Sequence, residues 1–160
     1  MLFRSVSIHD YARKPPAVEA GAAVLYDHDH TPMTYATAEA LAERYDRVVL
    51  LTPRTQIAQA VNYCSAIGIH RRLHVRGVEI VTAARPLAYQ NRSVRYVDVF
   101  SQRVSTIDGV GILVFATPRR VNDALASSLG GIELHLIGDC MAPRNLMIAI
   151  HEGHAIGNAL

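Results

Sequence analysis

Short, uninterrupted apolar segments recur along the chain and alternate with stretches of helical periodicity. Such runs are typical of strands that are buried on both faces of a parallel sheet. Residues 22–26 and 109–116 are the clearest such runs, and the mainly apolar segments 47–51, 77–81 and 132–137 are also predicted to be strands. Helices are predicted around them, at residues 34–45, 55–75, 121–129 and 145–160. The pattern therefore predicts an α/β fold in which β-α-β units build a parallel sheet.

One segment departs from this alternation and predicts a β-hairpin. Residues 86–89 and 93–100 have the period of two that strands show, and the turn residues Gln90, Asn91 and Arg92 separate them. A flavodoxin-like sheet would fit the β-α alternation but not the hairpin. We therefore expect a Rossmann-like, three-layer parallel sheet with an antiparallel β-hairpin or meander crossover.

The length of 160 residues predicts one domain. Residues 1–21, which contain a Pro-Pro pair, are interpreted as a lead-in segment, and residues 22–160 as a nucleotide-binding-like domain. The net charge is only +2 and the fifteen arginines are scattered without forming a basic face, so we expect no nucleic acid partner. No apolar run has the ~18 residues that a membrane span needs. Two cysteines outside any C-x-x-C motif favour reduced thiols and a cytoplasmic location.

Several segments carry a resemblance to a known family. Residues 24–33 read Val-Leu-Tyr-Asp-His-Asp-His-Thr-Pro-Met and precede an alanine-rich helix. Residues 136–144 read Leu-Ile-Gly-Asp-Cys-Met-Ala-Pro-Arg, and residues 149–154 end in Gly-His; Arg-Arg-Leu and Gly-Val-Glu occur within residues 71–79. With these motifs, residues 22–160 resemble the C-terminal NAD(P)/FAD-like Rossmann domain of the trimethylamine dehydrogenase and 2,4-dienoyl-CoA reductase family.

The resemblance implies a relation to FMN-linked NADH:flavin oxidoreductases that act in electron transfer. In that family a TIM barrel binds FMN and carries the substrate chemistry, and an iron–sulfur cluster accompanies it. This sequence contains neither the barrel nor a cysteine cluster. We therefore expect an accessory domain or subunit that is not catalytic alone, that has no catalytic residues of its own and whose partner is an FMN-barrel subunit.

The turn after the first predicted strand argues against a dinucleotide there. That turn needs glycines, because the backbone approaches the pyrophosphate closely at the start of the helix. Here Asp27 and Asp29 occupy the turn, and no residue from 22 to 67 is Gly. Two carboxylates would also repel a phosphate. We therefore expect no bound cofactor in the isolated chain.

A second candidate site follows the last predicted strand. In flavin reductases with a similar motif the aspartate binds the ribityl chain of FAD beside a helix N-terminus, which assigns this role to Asp139. Gly138, Ala142 and Arg119 complete a predicted cofactor-binding set for FAD, ADP or NAD(P). The competing interpretation is that Asp139 caps the last helix, because Asp is a preferred N-cap residue.

Histidine pairs and nucleophile motifs predict no further chemistry. His151 and His154 are three residues apart on a predicted helix and lack a third metal ligand. His-Glu-Gly-His is one residue shorter than the zincin motif, and Gly-x-Ser-x-Gly does not occur. We expect no metal site.

Two alternative functions stay open at this point. The chain could be a free-standing binder of ADP, FAD or NAD(P), which a stabilising ligand would reveal. It could also be a small homo-oligomeric interaction module. The apolar residues Leu2, Phe3, Val6 and Ile8 of the lead-in would then pair with a second copy.

Overall fold

The computed structural model describes residues 5–160. The chain divides into two compact units, and the boundary falls between Thr117 and Pro118 in the sequence. The first unit contains all the strands of the described chain: β1 (Ser5–Ser7), β2 (Ala22–Asp27), β3 (Val48–Leu51), β4 (Glu79–Val81), β5 (Ala84–Gln90), β6 (Ser93–Asp98), β7 (Val104–Ile107) and β8 (Val110–Ala116). Its helices are α1 (Ile8–Arg13), α2 (Pro32–Ala42) and α3 (Tyr63–Val75).

Two sheets organise the first unit. Five strands form a parallel sheet in the order β1-β8-β2-β3-β4, and β5, β6 and β7 form an antiparallel sheet. The predicted α/β class and the hairpin crossover are thus confirmed. Asn91 and Arg92 form the hairpin turn with φ values of 50° and 59°, the left-handed conformations that a two-residue type I′ turn requires.

The core lies on both faces of the parallel sheet. On one face, side chains of β2 and β3 pack against the three helices, and Leu25, Tyr35 and Leu73 are fully buried there. On the other face, Val24 and Val49 pack against Val94 of the antiparallel sheet. Burying a large aliphatic or aromatic side chain contributes about 1.5–3 kcal/mol, which makes these central strands the stable frame for the adjacent loops.

The second unit, Pro118–Leu160, is built differently. It contains α4 (Ala124–Ser128), a 3₁₀ turn (Gly138–Cys140) and α5 (Leu146–Gly157). Within it only Gly138 is buried. No helix in the described part of the chain is long and apolar enough to cross a membrane.

Several predicted elements need correction. Residues 132–137 form no strand, because residues 118–160 offer no second strand to accept and donate their backbone hydrogen bonds. The helix predicted over residues 55–75 begins at Tyr63, where the preceding Asn62 caps it, and it continues through Gly68 without a break. A third strand, β7, extends the predicted hairpin.

The described part of the lead-in, residues 5–21, also differs from expectation. It contributes β1, which pairs in parallel with β8, and α1. Ile8 is buried and Val6 packs against the core, so neither is an exposed apolar side chain for a second copy. Leu2 and Phe3 lie outside the described residues. The domain division at residue 21 stays a prediction.

Candidate functional site

The loop between β2 and α2 lies at the carboxyl edge of the parallel sheet, where open α/β sheets bind their ligands. Asp27 is the last residue of β2, and Pro32 is the first residue of α2. Thr31 is the N-cap residue, but its side chain makes no capping bond to the helix backbone. The Thr31 hydroxyl donates to Asp29 instead.

Asp29 binds polar groups at the start of α2. Its carboxylate accepts hydrogen bonds from the backbone N–H of Thr31 at 3.1 Å and from the Thr31 hydroxyl at 3.0 Å. It also accepts one from the Thr34 hydroxyl at 2.6 Å. A carboxylate near a helix N-terminus is favoured by the helix dipole, as a phosphate would be. The side chain of Asp29 therefore satisfies polar groups at the start of α2.

Behind this carboxylate lies a buried polar network. Asp27 accepts from the backbone N–H of His30 at 3.0 Å and from the Tyr35 hydroxyl at 2.9 Å. The Tyr35 hydroxyl in turn accepts from the backbone N–H of Ala58 at 2.6 Å. The His30 ring lies with Nδ1 3.4 Å from the Tyr35 oxygen and Nε2 3.4 Å from the Thr52 hydroxyl. These contacts join β2, α2 and the loop after β3 into one unit.

Burial sets the protonation of this network. It raises the pKa of Asp27 to about 6, although the hydrogen bonds from Tyr35 and His30 act in the opposite direction. It lowers the pKa of His30 to about 4, and the positive charge of Arg54 lowers it further. Burial and the neighbouring carboxylate of Asp27 raise the pKa of Tyr35. At neutral pH the network therefore holds a neutral imidazole beside a carboxylate and a protonated phenol.

This arrangement does not fit a dinucleotide at the first turn. A pyrophosphate would have to displace the Asp29 carboxylate and approach a backbone that carries side chains at every position. His30 takes a left-handed φ of 56°, so the loop makes its tight turn with an imidazole where glycine would leave space.

The structure brings the four predicted cofactor-binding residues of the second unit together. Arg119 Nη1 donates to Asp139 Oδ2 at 2.8 Å, and its Nη2 donates to the Arg144 carbonyl. The backbone N–H of Arg144 donates to Asp139 Oδ1 at 3.2 Å. The backbone N–H of Ala142 donates to the Gly138 carbonyl at 3.0 Å and is thereby used within the turn. The cofactor-binding role of this set stays a prediction.

Gly138 is fixed by its surroundings on the 3₁₀ turn. Its φ is +62°, and a Cβ there would lie 3.2 Å from the Ala149 Cβ of α5. Its backbone N–H donates to Glu152 Oε2 at 2.7 Å, and the other oxygen of Glu152 pairs with Arg144. The turn and α5 are thus joined through a glycine and a carboxylate.

Asp139 does not cap α5, which corrects the interpretation favoured from the sequence. The N-cap residue is Asn145, whose Oδ1 accepts from the backbone N–H of Ile148 at 3.0 Å. Asp139 lies six residues earlier and binds Arg119 instead. Its carboxylate is therefore held by a cation and not by the helix end.

The histidine pair of α5 is exposed, and His154 Nε2 lies 2.9 Å from Asn158 Nδ2. Within residues 5–160, no group of three or more His, Cys, Asp or Glu side chains could hold a metal ion. The sequence did not predict a role for Tyr35 or Thr52. Tyr35 is 8 residues from its partner Asp27, and Thr52 is 22 residues from its partner His30, so only folding brings them into the network.

Known structures share this fold along the chain. Histamine dehydrogenase from Rhizobium sp. 4-9 matches 99% of it with 25% identity and a TM-score of 0.84. 6-Hydroxypseudooxynicotine amine oxidase from Pseudomonas geniculata N1 matches 96% of the chain with 20% identity and a TM-score of 0.80. 2-Naphthoyl-CoA reductase matches 96% of the chain with 23% identity and a TM-score of 0.76. The chain is similar to one domain of the trimethylamine dehydrogenase-like oxidoreductases. The resemblance seen in the sequence is thereby confirmed.

The similarity covers only part of each relative. The chain spans 26% of histamine dehydrogenase, 24% of the amine oxidase and 23% of the reductase. It also shares the fold of Lactococcus lactis thioredoxin reductase, with a TM-score of 0.70 at 13% identity over 98% of this chain and 56% of that one. The last match supports the Rossmann-like class. No protein-family model and no curated protein matched the sequence.

Proposed function

We propose that the chain is an accessory domain or subunit of an FMN-linked, amine-dehydrogenase-like NADH:flavin oxidoreductase and that it is not catalytic alone. The observation that carries the proposal is the composition of the second unit's surface. Residues 118–160 bury no apolar side chain, yet they expose many of them. A segment of this kind gains stability when a partner removes its apolar surface from water.

The apolar surface is concentrated on one side of α5. Leu146, Met147 and Ile150 lie within one 100° sector of the helix and are 76%, 63% and 61% exposed. Ala149 and Glu152, which contact the turn at Gly138, lie outside this sector. The exposed sector, which we call the α5 face, is thus a separate surface from the one that holds the turn.

An FMN-barrel protein is the partner that the accessory role implies. The relatives of known structure are about four times as long as this chain, so most of each lies outside the matched domain. In the family that the sequence resembles, the FMN barrel and the rest of the FAD-like domain make up this unmatched part. The α5 face would pack against them.

The experiment is affinity purification of the tagged chain from cells that express its genomic neighbours. We expect a flavin-containing barrel protein to copurify in stoichiometric amount, identified by mass spectrometry and by its visible flavin absorbance. The variant Ile150→Lys places a charge on the α5 face and should abolish copurification. Val75→Lys is the control, since Val75 is 77% exposed on α3 of the first unit.

The outcomes separate the hypotheses. Retention of the barrel protein by Ile150→Lys would contradict docking through the α5 face. Absence of any flavoprotein from the wild-type preparation would contradict the accessory role itself. A dimer in light scattering of the purified chain, lost in Ile150→Lys, would support self-association instead.

Nucleotide binding at the second unit is the alternative, and it has one supporting observation. Arg119 and Asp139 form an ion pair that is about half exposed, and each Asp139 oxygen keeps an acceptor position for a ligand hydroxyl. Gly138 and Ala142 would line the same site. A thermal-shift titration with ADP, FAD and NADP tests this, because a ligand of the native state raises its stability. A saturable shift lost in Asp139→Asn but kept in Glu133→Gln would support it.

A further inference from the structure

The antiparallel sheet of the first unit has an outer face that the proposed function does not use. Val94, Tyr96 and Ile107 pack toward the parallel sheet, and alternate residues lie on the opposite side. Arg85 of β5 and Arg95 of β6 are on that outer side, and both are exposed. The fold thus gathers two of the arginines that look scattered in the sequence.

The two arginines are close neighbours on this surface. Arg85 lies opposite Val97, and Arg95 precedes Val97 by two residues on β6. Such diagonal positions are about 7–8 Å apart across a pair of strands. Thr106 lies opposite Arg95 and Val104 opposite Val97, and both are exposed. We call this surface, Arg85 and Arg95 with Val104 and Thr106, the arginine face.

The arginine face has no counter-ion among residues 5–160. The guanidinium groups of Arg85 and Arg95 make no ion pair or hydrogen bond there, and the same holds for the guanidinium of Arg103, which directly precedes β7. Two carboxylates at the ends of β6 and β7 bind other groups. Asp98 accepts from the turn after β6, and Asp108 accepts from the Ser93 hydroxyl.

Arginines on the helical side of the unit behave differently. Arg47, Arg72 and Arg76 pair with Glu79, Glu39 and Glu43 respectively. Arg85 and Arg95 thus differ from these paired arginines, because neither has a carboxylate partner on its sheet face within the described chain.

We propose that the arginine face docks an acidic surface of a partner protein. Charge complementarity identifies the partner's chemistry, because unpaired guanidinium groups form bidentate hydrogen bonds with carboxylates. Arginine is also enriched at protein interfaces, and the half-exposed Leu87 and Val104 supply apolar contacts beside it. This surface belongs to the first unit, whereas the α5 face belongs to the second.

The test measures binding of a fluorescein-labelled glutamate decapeptide to the full chain by fluorescence anisotropy at low and physiological salt. We expect saturable binding that weakens as salt rises, because charge pairs of this kind are screened. Arg85→Gln/Arg95→Gln should weaken binding about fivefold, since two surface ion pairs of about 0.5 kcal/mol each contribute about 1 kcal/mol. Circular dichroism verifies that the double variant is folded.

The control is Arg13→Gln/Arg71→Gln, which removes the same charge from two exposed arginines on α1 and α3. It should bind the peptide nearly as tightly as the wild type. Equal weakening in both double variants would overturn the proposal, because net charge alone would then explain binding. Absence of binding, or tighter binding of a uridine decanucleotide through Arg85 and Arg95, would overturn it too.

Discussion

Replacing His30 by Asn separates two opposing pH effects within the buried network. Asn tolerates the left-handed φ of 56° at this position, so the loop can keep its path. In the wild type, Asp27 has a folded pKa of about 6 against an ordinary value of 3.8, and His30 has one of about 4 against 6.5. The variant removes the second of these titrations and keeps the first.

The two groups act with opposite signs between pH 4 and 6.5. A carboxyl with a raised folded pKa holds its proton more tightly in the folded state, so stability falls as pH rises from about 4 to 6. A histidine with a lowered folded pKa is protonated first in the unfolded state, so stability falls as pH drops from 6.5 to 4. Each effect changes the free energy of unfolding by about 3 kcal/mol. Because their signs are opposite, the two effects nearly cancel in the wild type.

Urea unfolding followed by circular dichroism at pH 4, 5, 6 and 7 measures the difference. The stability of the wild type minus that of His30→Asn should grow by about 3 kcal/mol from pH 4 to 6.5. The variant's own stability should fall over the same interval, because Asp27 titrates without opposition. Parallel stability profiles for the two proteins would refute the burial of a neutral imidazole at this position.

Two further substitutions test individual contacts. Tyr35→Phe removes the hydroxyl that donates to Asp27 Oδ2 and accepts from the buried Ala58 N–H, and it should lower the free energy of unfolding by about 2–4 kcal/mol, whereas Tyr63→Phe, at a 78% exposed position, should change it little. Gly138→Ala forces a side chain into a φ of +62° against Ala149, and it should cost about 1–2 kcal/mol and speed amide exchange in α5; unchanged exchange would contradict the close packing of the turn.

The sequence predicts the parallel sheet well because its strands are recognisable without their neighbours. Residues 22–26 and 109–116 are continuously apolar, and only a position between two packed layers buries such runs. The hairpin follows from Asn91, whose side chain tolerates the turn's left-handed backbone. These features are local, so the pattern of one segment is enough to predict them.

Residues 132–137 show where local reasoning fails. The segment alternates Ile132, Leu134 and Leu136 with polar residues, as a strand does, yet all three are exposed and unpaired in residues 118–160. Strand formation depends on a neighbouring backbone, which the segment's own sequence does not specify. The same limit hid β1, whose three residues are a strand only because β8 lies beside them.

The sequence shows that the turn after β2 contains no glycine, which predicts that a dinucleotide does not bind there. It leaves open what satisfies the polar groups at the start of α2. In the structure Asp29 accepts three hydrogen bonds there, and the Asp27 network lies behind it. Charge-assisted bonds of this kind contribute about 1.5–3 kcal/mol each. A loop that binds a phosphate in related folds therefore stabilises the junction of β2 and α2 here, and a ligand that displaced Asp29 would have to replace those bonds.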